Sequence, residues 1–222
     1  MDQTEPTMKT NLSGNRSGPR GVGLGLLAGL AVLLAGCWQR SLHPFYTEAD
    51  LLAVPGLAGA WRQAPDRPDG SRDDRMLWKF VRVDDRRYDL TIEGDQERHE
   101  YEARAFQLGG TRFLDLFAKA RAVDTIPAHH VFRLVEVGDS LQVAALNPGW
   151  VAKWLPQHPG SLAHLRIASA DNPDDRDKDE FVLTAETPAL QRFLIEHRND
   201  HEFFAEGMVF EHEAKTPASR TK

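Results

Sequence analysis

Two adjacent histidines and one aspartate are the side chains of this sequence best suited to acid–base chemistry. His129 and His130 could supply a metal ligand or a general base, because imidazole changes its charge near neutral pH. Asp115 stands between two leucines, so it could be a buried acid with a raised pKa. Pairing with an arginine of a neighbouring strand is the commoner outcome for such a carboxylate. We favour a histidine pair at the start of a strand, and a hydrolase that uses His129 with Asp115 is the weaker alternative.

Other motifs for catalysis or metal binding are missing from the sequence. Residues 171–180 are rich in acidic side chains, but they lack the glycine that an EF-hand loop needs at its sixth position. They also include Arg176 and Lys178, which would oppose a bound cation, so we expect a solvated loop. The motifs HExxH and Gly-x-Ser-x-Gly do not occur, and no phosphate-binding glycine loop follows a strand. The sequence therefore predicts no metal, no cofactor and no catalytic residue.

The elements that position these groups are short strands in hairpin order. Apolar and polar side chains alternate, and turn residues such as Gly109-Gly110 and Gly138-Asp139 separate the segments. This pattern predicts a mainly β fold with two helices, built as an antiparallel up-and-down barrel or a sandwich. Inward side chains would line any cavity for an apolar ligand, and the candidates are Trp78, Phe80, Tyr88 and Tyr101. The predicted strands are residues 57–62, 76–83, 88–92, 98–108, 111–117, 131–137 and 141–146, followed by 181–184 and 208–211.

Two helices interrupt the predicted strands. Asn147-Pro148 provides a cap followed by proline in the first turn, and Thr187-Pro188 repeats this arrangement. In the first helix Trp150 and Trp154 share one side, which is more typical of a core than of a platform for a sugar or a base. We expect both helices to pack against the sheet or to close an end of a barrel.

The only cysteine, Cys37, ends an N-terminal segment with the layout of a secretory signal. Residues 1–20 carry three basic side chains, and residues 21–36 are apolar and uncharged. The motif Leu34-Ala35-Gly36-Cys37 resembles the signal of bacterial lipoproteins, which implies cleavage before Cys37 and acylation of its thiol. An uncleaved membrane anchor is the alternative. The predicted organisation is a signal peptide over 1–36, a lipidated cysteine with a short tether over 37–45, one β-rich domain over 46–214, and a disordered tail over 215–222.

Further motifs carry a wider resemblance. Residues 43–48, 113–116 and 183–185 resemble a group of bacterial lipoproteins of unestablished activity, so the resemblance implies an architecture alone. The Gly59-Ala60-Trp61 motif is similar to the opening of lipocalins, which are barrels that bind small apolar ligands. In lipoproteins of enteric-type bacteria, aspartate after the lipidated cysteine favours the inner membrane. Trp38 stands there in this chain, so the resemblance implies the outer membrane where a cell has two.

The charge of the chain limits the partners that it can bind. The formal net charge is −6, and removal of residues 1–36, with three basic and two acidic side chains, changes it to −7. An acidic chain lacks the basic surface that nucleic acid requires. The remaining hypotheses are a non-catalytic envelope lipoprotein attached to the membrane through Cys37, which presents its domain to a protein or envelope partner, or a carrier of an apolar ligand or lipid.

Overall fold

A computed structural model describes residues 38–65, 75–94, 97–119, 127–168 and 179–213 of the chain. The strands and helices, in chain order, are β1 (Arg40–Ser41), β2 (Gly59–Gln63), β3 (Leu77–Arg82), β4 (Tyr88–Glu93), β5 (Arg98–Leu108), β6 (Thr111–Ala118), β7 (His129–Val137), β8 (Ser140–Ala145), α1 (Pro148–Gln157), β9 (His164–Ile167), β10 (Glu180–Leu183), α2 (Thr187–His197) and β11 (Met208–His212). A short 3-10 helix (Pro55–Leu57) precedes β2.

Eight of these strands close into an antiparallel up-and-down barrel. Strands β2 to β8 follow one another around the barrel in chain order, and β11 pairs with both β8 and β2 to complete it. The predicted mainly β fold is confirmed, and the barrel is the correct form of the two that the sequence left open. Helix α1, strands β9 and β10, and helix α2 form an insertion between β8 and β11.

Turn chemistry and alternating side chains explain the hairpins. Gly109 and Gly110 join β5 to β6 with φ values of +54° and +82°, a backbone that favours glycine at both positions of a two-residue turn. In β4, Tyr88, Leu90 and Ile92 are buried, and the residues between them are partly exposed. This alternation of period two places one side of the strand in the barrel interior.

Three strands leave the barrel wall and form a small sheet that we call the flange. In the flange, β1 pairs in parallel with β10, and β9 pairs with β10 in the antiparallel direction. The flange joins the barrel where Ser41 of β1 pairs with His129 of β7. Strand β9 forms its outer edge.

Both predicted helices are present and cover part of the barrel's outer surface. The Asn147 side chain caps α1, since its Oδ1 accepts from the backbone N of Gly149 at 2.9 Å and of Trp150 at 3.4 Å. Thr187 does not cap α2 as predicted. It is the first residue of the helix, and its hydroxyl donates to the carbonyl oxygen of Pro44 at 2.8 Å. A second apolar core lies between the helices and the barrel wall; it includes Phe106, Phe113, Val151, Leu190 and Phe203.

The folded unit begins earlier in the chain than Tyr46, where the sequence placed the start of the domain. Trp38 packs against the barrel core and Phe45 is completely buried, so the predicted tether is part of the fold from Trp38 onward. Burial of these aromatic side chains against apolar residues is favourable, which explains why the folded unit starts before Tyr46. The predicted signal peptide, Cys37 and the tail over 215–222 lie outside the described residues, as does most of the acidic segment 171–180.

Candidate functional site

The four residues proposed to line a ligand cavity all lie inside the barrel. Trp78 and Tyr88 are completely buried, Phe80 is 3% exposed and Tyr101 is 7% exposed. The ring of Phe80 lies 6.0 Å from that of Trp78 and 6.4 Å from that of Tyr88. The Tyr88 hydroxyl donates to the carbonyl oxygen of Val54 at 2.8 Å, which satisfies a polar group that would be costly to bury alone. Their ligand-binding role stays a prediction.

Aromatic rings from several strands surround Trp78 at the centre of the barrel. Phe210 of β11 lies 4.9 Å away between ring centroids, Phe132 of β7 lies 5.7 Å away, and Trp38 lies 6.3 Å away. Edge-to-face and tilted contacts at these distances are the favourable geometries of aromatic pairs. The space around Trp78 is therefore filled by the chain's own side chains.

Trp38 closes one end of this aromatic cluster. Its ring lies 4.8 Å from that of Phe132 and 6.2 Å from that of Tyr101. His130 contacts the same ring at 5.7 Å, and its Nδ1 is 3.2 Å from the carbonyl oxygen of Gln39. Burial lowers the pKa of His130 to about 4. Burial likewise raises the pKa of the Tyr101 hydroxyl.

The Gly59-Ala60-Trp61 motif lies on β2 and contacts β11, the last strand of the barrel. Trp61 is completely buried, its Nε1 donates to the carbonyl oxygen of Leu57 at 2.9 Å, and its ring stacks on His212 of β11 at 3.7 Å. Gly59 adopts a φ of +142°, and a Cβ atom there would meet Cε1 of His212 at 3.4 Å. Glycine thus suits both the backbone and the stacking partner at this position.

Asp115 and His129 meet on the outer face of the barrel. Asp115 on β6 and His129 on β7 are diagonal neighbours, and Oδ1 of the carboxyl lies 2.7 Å from Nδ1 of the imidazole. The pKa of Asp115 is raised because burial outweighs the stabilisation of its carboxylate by His129. The expectation of a buried acid is confirmed. The commoner outcome, a pair with an arginine, is wrong, because Arg104 opposite Asp115 instead donates to Glu102 at 2.7 Å.

The chain segment around Phe45 and Tyr46 lies close to Asp115, and both members of the Asp115–His129 pair are buried. Asp115 is 1% exposed and His129 is 8% exposed. The ring of Phe117 lies 4.5 Å from that of His129. The pKa of the Tyr46 hydroxyl is raised, mainly by burial and then by the negative charge of Asp115. Because both members are buried, little of either side chain is open to a substrate.

His129 and His130 point to opposite faces of β7. His129 contacts Asp115 on the outer face, whereas His130 contacts Trp38 in the barrel mouth. His129 and His130 therefore cannot bind one metal ion together. Within the described ranges, no three His, Cys, Asp or Glu side chains are grouped closely enough to hold a metal ion.

A third histidine lies in an aromatic cluster between the helices. The ring of His197 is 5.0 Å from both Trp150 and Trp154, and its Nδ1 is 2.6 Å from Oδ2 of Asp200. Trp150 and Trp154 stack on each other at 5.8 Å and pack against the second apolar core, in agreement with the prediction that they are core residues and not a platform for a ligand. Leu190, Phe193, Leu194 and His197 are the buried residues of α2.

Comparison with known proteins adds no identity to this geometry. No protein-family model matches the chain, no curated protein matches it, and no solved structure matches it. Among the described helices, none has the length and apolar character to cross a membrane.

Sequence reasoning missed two features of the barrel interior. It treated Trp38 as part of a tether, although a tryptophan and the nearby Phe45-Tyr46 in one short segment were a signal for burial. It also did not assign His212 as the partner of Trp61, because these residues lie at opposite ends of the domain and local patterns do not report their contact.

Proposed function

We propose that this chain is a lipid-anchored protein of the bacterial envelope that acts through the outer surface of its barrel. The observation that carries the surface role is the aromatic packing around Trp78, where Trp38, Phe132 and Phe210 occupy the interior. A ligand site for a small molecule needs roughly 300–1,000 Å³ of open space, and the rings around Trp78 occupy the interior where such a site would lie. An interior packed with aromatic rings supports a structural barrel that meets a partner from outside.

The membrane attachment is proposed from the sequence around Cys37. A basic segment, an apolar run over 21–36 and Leu-Ala-Gly before Cys37 have the order that a lipoprotein signal requires. Stable anchoring needs more than one acyl chain. The resemblance to lipoproteins implies a lipid thioether on Cys37 and acylation of its amine. The first residues of the mature chain would then be Cys37 and Trp38, with the outer membrane as the expected location.

Acylation and cleavage can be tested on the full chain. We would express it beside a Cys37→Ser variant in a bacterium that processes lipoproteins, separate membrane from aqueous fractions, and measure intact masses. The unmodified chain is expected in the membrane fraction, with residues 1–36 removed and acyl mass added. The variant is expected to lack the acyl mass. Equal fractionation of the two proteins, with masses that differ by the Cys-to-Ser exchange alone, would refute the proposal of a lipid anchor.

A carrier of an apolar ligand is the second candidate function. The closed eight-stranded barrel favours it, because such barrels enclose ligands when their interiors are not filled. A cargo would have to displace an interior ring, and Trp38 is a ring of the cluster that lies outside the eight barrel strands. Native mass spectrometry before and after organic extraction separates the two functions. A discrete extractable mass supports the carrier, and an unchanged protein mass supports the filled barrel.

Hydrolysis by His129 has the short contact with Asp115 in its favour and burial against it. We therefore expect His129→Asn to lower the stability of the protein, because it perturbs the contact with Asp115, without removing a catalytic activity. Loss of a measured hydrolytic activity in a folded His129→Asn protein would reverse this order of the hypotheses.

A further inference from the structure

The flange carries an exposed apolar face close to the point where the chain enters the fold. Leu165 and Ile167 on β9 are 56% and 40% exposed, and Leu42 directly after β1 is 41% exposed. Leu165 pairs with Val182, which in turn pairs with Arg40. Paired residues of neighbouring strands point to the same side of a sheet, and so do residues two apart in one strand. Arg40, Val182, Leu165 and Ile167 therefore share one face, which we call the anchor-side face, and Leu42 follows β1 beside it.

The charged residues of the anchor-side face are paired with each other. Arg40 of β1 and Glu180 of β10 form an ion pair across the two strands. An ion pair of this kind leaves little net charge on the face. The remaining members are apolar: Leu165 and Ile167 are exposed, whereas Val182 on the central strand is only 7% exposed.

On the opposite face of the flange, the residues of β1 and β10 are covered by the rest of the domain, whereas Arg166 at the outer edge is exposed. Leu183 is completely buried and, together with Phe181, belongs to the core beneath the helices. Arg166 on this side pairs with Asp179 at 2.5 Å. The anchor-side face is thus the apolar face of the flange that is open to its surroundings in the part of the chain that the structure describes.

The position of Trp38 indicates where a lipid on Cys37 would lie relative to the anchor-side face. Its ring is held among Phe132, His130 and Tyr101, so the start of β1 is fixed to the barrel mouth. Cys37 is the preceding residue, and three residues of extended chain reach at most about 11 Å, which places it within that distance of Arg40. A lipid attached to Cys37 would bring the bilayer to the same end of the flange.

We propose that the anchor-side face of the flange lies against the lipid surface and fixes the orientation of the barrel on the membrane. This inference rests on the proposed function, because it takes Cys37 as the point of attachment. Leu42, Leu165 and Ile167 contact the headgroup and acyl boundary, and the Arg40–Glu180 pair lies beside them. Because the face is apolar and its charges are paired, it binds a zwitterionic bilayer with little dependence on salt.

Hydrogen exchange on the full chain tests the orientation. The protein purified from a lipoprotein-processing bacterium is reconstituted in phosphatidylcholine vesicles. Its exchange is compared with that in vesicle-free, detergent-free solution after a lipase has hydrolysed the ester-linked acyl chains of the anchor. We expect amide exchange in β9 to slow by about threefold or more on vesicles, since burial of an edge strand protects its unpaired amides. Strand β3 is the internal control, because it lies opposite β7 in the barrel and exposes Val81 at 64%.

Matched variants make the result specific. Leu165→Ser with Ile167→Ser removes the exposed apolar side chains of β9, and Val81→Ser with Val83→Ser makes the same change on the distant wall. The first pair should abolish the protection of β9 on vesicles, and the second should leave it unchanged. Equal exchange of β9 with and without vesicles overturns the proposal. Protection that appears without vesicles at high protein concentration also overturns it, because it assigns the face to a second copy.

Failure of the anchor itself is visible in a separate measurement. If the intact mass shows a free thiol at Cys37, the proposed function fails. The orientation is then tested by coupling that thiol to a maleimide phospholipid in the same vesicles, because Cys37 is the only cysteine of the chain. Slowed exchange of β9 under this coupling supports the lipid-facing surface, and unchanged exchange refutes it.

Discussion

Acidification should destabilise this protein through His130 in the mouth of the barrel. His130 lies between Trp38 and Tyr101, and burial lowers its pKa from an ordinary value of 6.5 to about 4. The unfolded chain takes up a proton near pH 6.5, but the folded chain does not until about pH 4. The contribution of His130 to the free energy of unfolding is therefore fully present above pH 6.5. It decreases as the pH drops from 6.5 to 4, and it does not change further below pH 4.

The shift sets the size of the effect. Each pKa unit corresponds to about 1.4 kcal/mol, so the full shift is worth about 3 kcal/mol. His130 keeps part of its surface in contact with water, which reduces the expected loss to about 2 kcal/mol. A domain of this size has a free energy of unfolding of about 5–15 kcal/mol, so the loss is easily measured.

Urea unfolding of the wild type and of His130→Phe at pH 7 and pH 4.5 measures the effect. The phenylalanine retains the ring contacts with Trp38 and Tyr101, and it loses the hydrogen bond to Gln39, which is worth about 1 kcal/mol. The wild type should lose about 2 kcal/mol more than the variant between the two pH values. The control is His201→Asn, which removes an almost fully exposed imidazole and should follow the wild type. Equal losses in the wild type and in His130→Phe would refute the reasoning.

Three further perturbations test the core, the buried pair and a helix end. Trp78→Ala removes the central ring of the barrel and should lower the free energy of unfolding by about 3–5 kcal/mol in urea, and a loss below 1 kcal/mol would show that the interior is not packed around it. Asp115 has a raised pKa, so the stability it contributes is lost as the pH rises from its ordinary value of 3.8 towards the folded value. Asp115→Asn should therefore gain stability relative to the wild type over that range, and parallel pH profiles of the two proteins would contradict this. Asn147→Ala removes the cap of α1 and should cost about 1 kcal/mol by thermal unfolding, whereas exposed Lys153→Ala should cost less.

Local patterns in the sequence were sufficient for the strands and not for their closure. Gly109-Gly110 and the alternation of Tyr88, Leu90 and Ile92 predicted the correct hairpins, because turn and strand signals act between near neighbours. Whether the sheet closes depends on the pairing of β11 with β2, which brings Phe210 opposite Gln63. A contact over such a separation leaves no periodic signal in either strand, so barrel and sandwich remained open alternatives.

The same reasoning explains what was found and missed at the candidate site. Inward positions were predictable for Trp78 and Phe80, since period two and hydrophobicity determine the side of a strand. The contact between Asp115 and His129 depends on the register of β6 and β7, which the sequence does not give. Sequence reasoning named both residues as one candidate pair, but it could not determine that the fold buries both of them.

The packing of Trp38 changes what an anchor at Cys37 would mean for the protein. A flexible tether would let the barrel move and turn freely above the membrane, and its orientation would then carry no information. Trp38 is instead held by Phe132 and Tyr101, and Arg40 is already part of a strand, so almost no free chain separates Cys37 from the domain. A lipid attached there would act as a rigid extension of β1. The surface that the barrel offers to a partner would then be selected by the fold itself, and the wall around β3, opposite the flange, would be the wall that points away from the lipid.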